Sequence, residues 1–232
     1  MPYGSLSLPA RLYLLAANPA KGRVSAGMDL DVVVRACALA ELAQRGFIAE
    51  VNGIVTPVLG ARTGDPVLDE LMELIEESRP KGWRPWMTHR SRATLAAVRE
   101  GLVAGGYLRV VRVRRLGVFP GRRHELERAG YVELLQGEAL AVLRRSDEDS
   151  EGADAVPVDD AALVVIASTG AVRTLVRGLD HWRYKERLEE LTARAGAERA
   201  GLPEALAHLR KALKRALAAR SAARDSGGGG GG

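Results

Sequence analysis

The chain has 232 residues, 47% of them hydrophobic and 27% charged, with a formal net charge of +5 and a pI near 9.6. That balance excludes a disordered or fibrous chain and leaves room for one sizeable core, since a chain this long buries roughly 70% of the surface it exposes when unfolded. The base is mostly arginine, with lysine only at 21, 81, 185, 211 and 214, and this usage together with the alanine content fits a GC-rich bacterial genome. A positive field of this size favours an anionic partner, a nucleic acid or an acidic membrane surface, without choosing between them.

In chain order, Ser7-Leu-Pro-Ala predicts a short helix running to Ala17, with serine as cap and proline in the first turn. Asn18-Pro19 stops it, and a polar loop from Ala20 to Met28 follows. A second helix runs from a capping Asp29 to Arg45, with Gly46 past its end. Its apolar positions (Leu30, Val33, Val34, Cys37, Leu39, Leu42) are spread widely enough to predict burial on more than one side. Phe47–Val51 and Ile54–Val58 flank Asn52-Gly53, the dipeptide of a type I′ hairpin.

Asp65 starts a helix over 66–77 with the stripe Val67, Leu68, Leu71, Leu74 and Ile75. Pro80 to Pro85 breaks the chain. A single helix is predicted from Trp86 to Gly105, then an arginine-studded extended stretch from Tyr107 to Val118, then a helix from Tyr131 to Leu143. The acidic stretch Ser146–Pro157 reads as a surface linker. Three helices close the chain, at 159–168, 182–195 and 203–219, and the glycines from 227 to 232 read as a disordered tail. In the last helix a leucine stripe (202, 206, 209, 213, 217) opposes a basic face of His208, Arg210, Lys211, Lys214 and Arg215. Such a pattern suits an interfacial helix or one docked on a core, and docking is the expectation.

The residue types of catalysis do not converge. His89, His124, His181 and His208 are scattered without metal-ligand spacing to one another or to Cys37, so no metal and no cofactor is expected. Ser168-Thr169-Gly170 lacks a nearby base and a strand-elbow context. The single cysteine, Cys37, falls inside a helical pattern, which predicts a small core residue and a reducing compartment. Leu12–Ala17 is too short and lacks the basic flank of a secretory signal. No run approaches the ~18 apolar residues of a membrane span. A non-catalytic binding protein is the expectation, located in the cytoplasm, with any membrane contact peripheral. Trp83, Trp86 and Trp182 are expected to pack in the core or at its rim.

Two motifs carry more information. Arg35-Ala-Cys-Ala-Leu-Ala-Glu-Leu-Ala-Gln-Arg-Gly46 and Thr63-Gly-Asp-Pro-Val-Leu-Asp-Glu70, in that order and about twenty residues apart, resemble the Golgi phosphoprotein 3 family. The resemblance covers most of residues 8–220 and is strongest from Arg35 to Glu77. It implies a mainly α fold, a single compact helical domain with small β-hairpins over residues 1–226. It also implies a peripheral membrane protein on the cytoplasmic face, an adaptor for a client protein, that binds phosphatidylinositol 4-phosphate.

The lipid pocket of eukaryotic relatives uses a tryptophan and three arginines. Counted from the motifs, Arg35 and Arg92 fall on two of the arginines, Leu95 on the third and Ala26 on the tryptophan. Arg23, Arg90, Lys21 and Arg99 lie near enough in sequence to restore charge. The loop with Lys21, Ala26 and Met28 is the expected membrane contact. The resemblance further implies self-association through a hairpin near Gly117–Glu127, where Phe119-Pro120 is kept.

Two rival readings stand beside this one. A helix followed by an Asn-Gly hairpin, with a second helix and extended stretch at 98–113, resembles a winged helix, a DNA-binding module. The second helix offers only Arg35 and Glu41 at its centre for reading bases, so nucleic acid is the less favoured partner. A scaffold that keeps the fold and has lost its lipid is the other.

Overall fold

The structure, a computed structural model, describes residues 6–24, 29–115, 119–144, 156–175 and 183–227. It is mainly α. Helices α1 (Leu8–Leu15), α2 (Leu30–Gln44), α3 (Pro66–Glu76), α4 (Trp83–Thr88), α5 (Ser91–Ala104), α6 (Ala129–Arg144), α7 (Val158–Thr169), α8 (Lys185–Ala195) and α9 (Leu202–Gly227) surround one hydrophobic cluster. Strands pair only locally and antiparallel: β1 (Ala17–Asn18) with β2 (Arg23–Val24), β3 (Ile48–Val51) with β4 (Ile54–Pro57), and β5 (Leu108–Arg115) with β6 (Phe119–Leu126).

Helix α2 is the axle of the fold. Every residue from Leu30 to Gln44 except Glu41 is buried, and α1, α4, α5, α7 and α9 all pack on it. That is why its apolar positions are spread around the whole circumference instead of forming a stripe. It also leaves no exposed face with which α2 could enter a DNA groove. Helix α7 is buried over Ala161–Thr169 in the same way.

Gly46 and Gly106 end α2 and α5 by one device. Each holds a positive φ (+76° and +70°), and the next N–H reaches back to the first free carbonyls: Phe47 N–H to Leu42 O, Tyr107 N–H to Leu102 O. This is the Schellman geometry, which turns the chain directly into a hairpin after each helix. In the first hairpin Asn52 and Gly53 both have positive φ, as a type I′ turn requires.

Helix α3 shows the cap expected of Asp65, whose Oδ1 accepts from the Val67 N–H at 2.7 Å and the Leu68 N–H at 3.3 Å. Asp69 returns to the preceding turn, accepting from the Thr63 N–H and hydroxyl. Asp65→Ala is expected to cost about 1 kcal/mol of unfolding free energy, read as a lower urea midpoint at an unchanged slope.

Three expectations need correction and a fourth gains a partner strand. The single helix over 86–105 is two helices, α4 and α5, broken at His89 and Arg90. The His89 carbonyl accepts from the Arg35 side chain, and Arg90 adopts left-handed φ/ψ (54°, 27°). The extended stretch is strand β5, Leu108–Arg115, as expected, and what sequence reasoning missed is its partner β6, whose Pro120 and Gly121 hide it from a strand pattern. Helix α8 starts at Lys185. Helix α9 continues past Ala219 because Arg220 and Arg224 are gripped by aspartates at the start of α2.

As expected, α9 is docked: Leu202, Leu206, Leu209 and Leu213 are buried, with Leu217 packed at the edge. Trp83, Trp86 and Cys37 are buried, while Trp182, His181, residues 145–155 of the linker and glycines 228–232 lie outside the described residues. No helix among the described residues is long and apolar enough to cross a membrane.

Candidate anion-binding site

The candidate site lies where α2, α3 and α5 meet. Arg35 sits in the second turn of α2 and is 1% exposed, an extreme for a residue type that is almost never fully buried unless paired. Its Nη2 donates to the His89 carbonyl at 2.9 Å, while Nε and Nη1 have no partner among the described residues. Burial pulls the guanidinium down to about 10, Glu70 opposes this and Arg90 adds to it. Arg35 is therefore charged at neutral pH, with unmet hydrogen-bonding capacity.

It opens on a cavity of about 90 Å³ lined by Glu70, Glu73 and Glu77 of α3, and by Arg90, Ala93 and Thr94 at the start of α5. Arg90 and Arg92 are both exposed. No side chain caps α5, and the positive end of its dipole lies at the same place in the chain.

The Ser91 hydroxyl is turned the other way and donates to Asp31 at 2.5 Å. Asp31, 4% exposed, also accepts both arms of Arg220 (2.7 and 2.9 Å), and Asp29 accepts both arms of Arg224 (2.9 Å each). This double clamp fixes the first turn of α2, and with it the height of Arg35, against α9.

The expected pocket is therefore only partly assembled. Arg35 and Arg92 belong to facing helices, but Arg92 does not line the cavity; Arg90 does, because Ala93 and Thr94 are the α5 residues turned toward α2 and α3. Leu95 is half-buried against the core. Lys21 and Arg23 are exposed, and Lys21 lines a different groove, of about 1210 Å³, with Arg173 and Lys214. Ala26 and Met28 lie outside the described residues. Arg99 donates to the Tyr13 hydroxyl at 3.2 Å and is structural.

In the sequence Glu73 and Glu77 are not singled out, and Glu70 stands only as the end of the Thr63–Glu70 motif. The spacing of the three, i, i+3 and i+7, was the available signal, since it places all three on one side of a helix. Among the described residues no group of three metal-ligating side chains gathers.

The hairpin expected to mediate self-association exists as β5–β6, with Arg112 exposed directly opposite Arg122. Arg109 and Arg123 are both bound to Glu125 on the same hairpin.

No curated protein matches the chain. The family model described as Golgi phosphoprotein 3 (GPP34) matches residues 8–222, a span from the first turn of α1 well into the clamp on α9. The axial α2, the capped α3 and the two helix–hairpin units are therefore those of a family fold, and the chain belongs to the Golgi phosphoprotein 3 family.

Proposed function

We propose that the protein is a non-catalytic, peripheral membrane protein that holds the phosphate of a lipid head group at the α2–α5 junction. The observation that carries this reading is the buried Arg35 guanidinium beside an open cavity, with two of its nitrogens, Nε and Nη1, unpartnered among the described residues. Buried donors of this kind are satisfied in nearly every folded protein, and a phosphate oxygen is the acceptor that best suits a guanidinium edge.

Arg90, Arg92 and the uncapped start of α5 add positive potential at the mouth. Exposed arginines near an anionic surface contribute about 1 kcal/mol each, enough for a reversible attachment and no more. Phosphatidylinositol 4-phosphate is the head group that family membership brings forward, and adaptor duty toward a client protein on the cytoplasmic face comes from the same source.

Vesicle co-sedimentation at ~50 and ~200 mM salt separates a pocket from diffuse charge attraction. Wild type is expected to retain binding at the higher salt. Arg35→Met is expected to abolish that retained fraction, and Arg90→Gln/Arg92→Gln to weaken binding by roughly 25-fold at low salt, about fivefold for each arginine lost. Binding to all anionic vesicles alike that vanishes at ~200 mM salt, or binding unchanged by Arg35→Met, would overturn the proposal.

A further inference from the structure

The wall opposite Arg35 is acidic. Glu70, Glu73 and Glu77 line the cavity from α3, against Arg35 and Arg90 as its two cations. All three glutamates are exposed, and among the described residues none of their carboxylates joins an ion pair or accepts a hydrogen bond. Arg35 does not close onto Glu70, although Glu70 is near enough to act on its charge. The cavity thus keeps a buried unpaired donor on one side and three free acceptors on the other.

A purely anionic ligand suits this arrangement badly. A phosphomonoester carries nearly two negative charges, and the lining already holds one more carboxylate than guanidinium. A ligand with its own positive charge a few bonds from the phosphate meets both walls at once.

We infer, resting on the head-group reading above, that this site takes a zwitterionic group in which a phosphate diester sits beside a primary ammonium, as in phosphoethanolamine. The phosphate lies against the Arg35 guanidinium and faces Arg90. The ammonium, with three N–H donors and no acceptor, donates to the carboxylates of α3. A quaternary ammonium fits less well, because it offers no N–H and is held by aromatic faces, and no aromatic side chain lines the cavity. Among lipid surfaces this favours phosphatidylethanolamine over phosphatidylcholine and phosphatidylglycerol.

The test titrates the full chain with glycerophosphoethanolamine, glycerophosphocholine and glycerol phosphate, followed by calorimetry and by NMR of the Arg35 side chain. Vesicles containing phosphatidylethanolamine, or matched phosphatidylglycerol, form a parallel arm. The ethanolamine diester is expected to bind roughly tenfold more tightly than either comparator. Glu70→Gln/Glu73→Gln/Glu77→Gln is expected to erase that preference while leaving glycerol phosphate unchanged or tighter. These three residues are exposed, so the variant folds, and Arg35→Lys serves as a folded partner to Arg35→Met.

The opposite signs distinguish the two ideas. If the triple variant tightens every phosphate ligand and wild type shows no preference for the ammonium, the zwitterion inference is wrong and the anion site stands. If no phosphate compound binds, or Arg35→Met and Arg35→Lys bind like wild type, both are wrong. Binding of the soluble diester without vesicle binding supports the inference and assigns the ligand to a free metabolite instead of a membrane.

Discussion

Arg220→Ala is expected to lower the unfolding free energy at pH 7 by about 2–4 kcal/mol, the cost of leaving one member of a largely buried ion pair without its partner. Asp31 is the member left behind. It is nearly inaccessible, and without Arg220 it keeps only the Ser91 hydroxyl and the local backbone as donors. The measurement is urea unfolding, in which the midpoint falls and the slope holds.

The pH dependence supplies a second signature. Burial resists ionisation of Asp31, but the hydrogen bonds from Arg220 and Ser91 and the charge of Arg220 outweigh it and hold the carboxyl below its usual 3.8. A carboxylate with a depressed folded pKa contributes stability that is present above the unfolded value and lost as the pH falls through the folded one. Removal of Arg220 leaves burial as the dominant influence and reverses the shift. The deficit of the variant relative to wild type is therefore expected to narrow as the pH falls through 3.8, beginning above it, where Asp31 of the variant takes up its proton. A deficit that stays constant to pH ~3 would show that Arg220 acts by packing its aliphatic stem.

Gly196→Ala is expected to be the most costly of the glycine substitutions at the α8–α9 turn, about 2–3 kcal/mol. A Cβ there would lie 2.5 Å from the Pro203 nitrogen, 2.7 Å from its Cα and 2.9 Å from the Leu202 carbonyl carbon. These are backbone atoms at the start of α9 and cannot rotate away, so relief requires moving the helix. The φ of Gly196, −104°, suits any residue, so the cost is steric alone.

Gly201→Ala is the internal control. Its φ of +76° is unfavourable, but nothing lies within 4 Å of the added atom, so about 1–2 kcal/mol is expected. Thermal unfolding of the two variants side by side checks the ranking. Equal losses would mean that the start of α9 yields readily.

What the sequence made legible was whatever a segment decides for itself. The Asp65 cap, the Pro66 start, the Asn52-Gly53 turn and the Gly46 stop are local chemistry, and α3, the first hairpin and the end of α2 fall where they predict. The break between α4 and α5 is different in kind. Its cause is Arg35, 54 residues away, which takes the His89 carbonyl out of any helix. The extension of α9 likewise depends on Asp29 and Asp31, far earlier in the chain.

For the candidate site, the motif alignment found Arg35 and named Arg90 and Arg92. It could not show that Arg35 is buried, since a charged residue is expected at the surface. Nor could it show that the polar face of α3 forms the opposite wall.

The clamp between α9 and α2 also constrains how the molecule is made. Asp31 and Arg220 are 189 residues apart, an interval of roughly 10–40 s at ordinary rates of synthesis. Throughout that interval the central helix is complete, yet the flank that α9 will cover stays wet and the Asp31 carboxylate lacks its guanidinium. The last helix is thus the latch on a core built around an early one. Nascent chains halted before Arg220 are expected to behave as sticky, loosely packed intermediates, and the fold closes in a single late step.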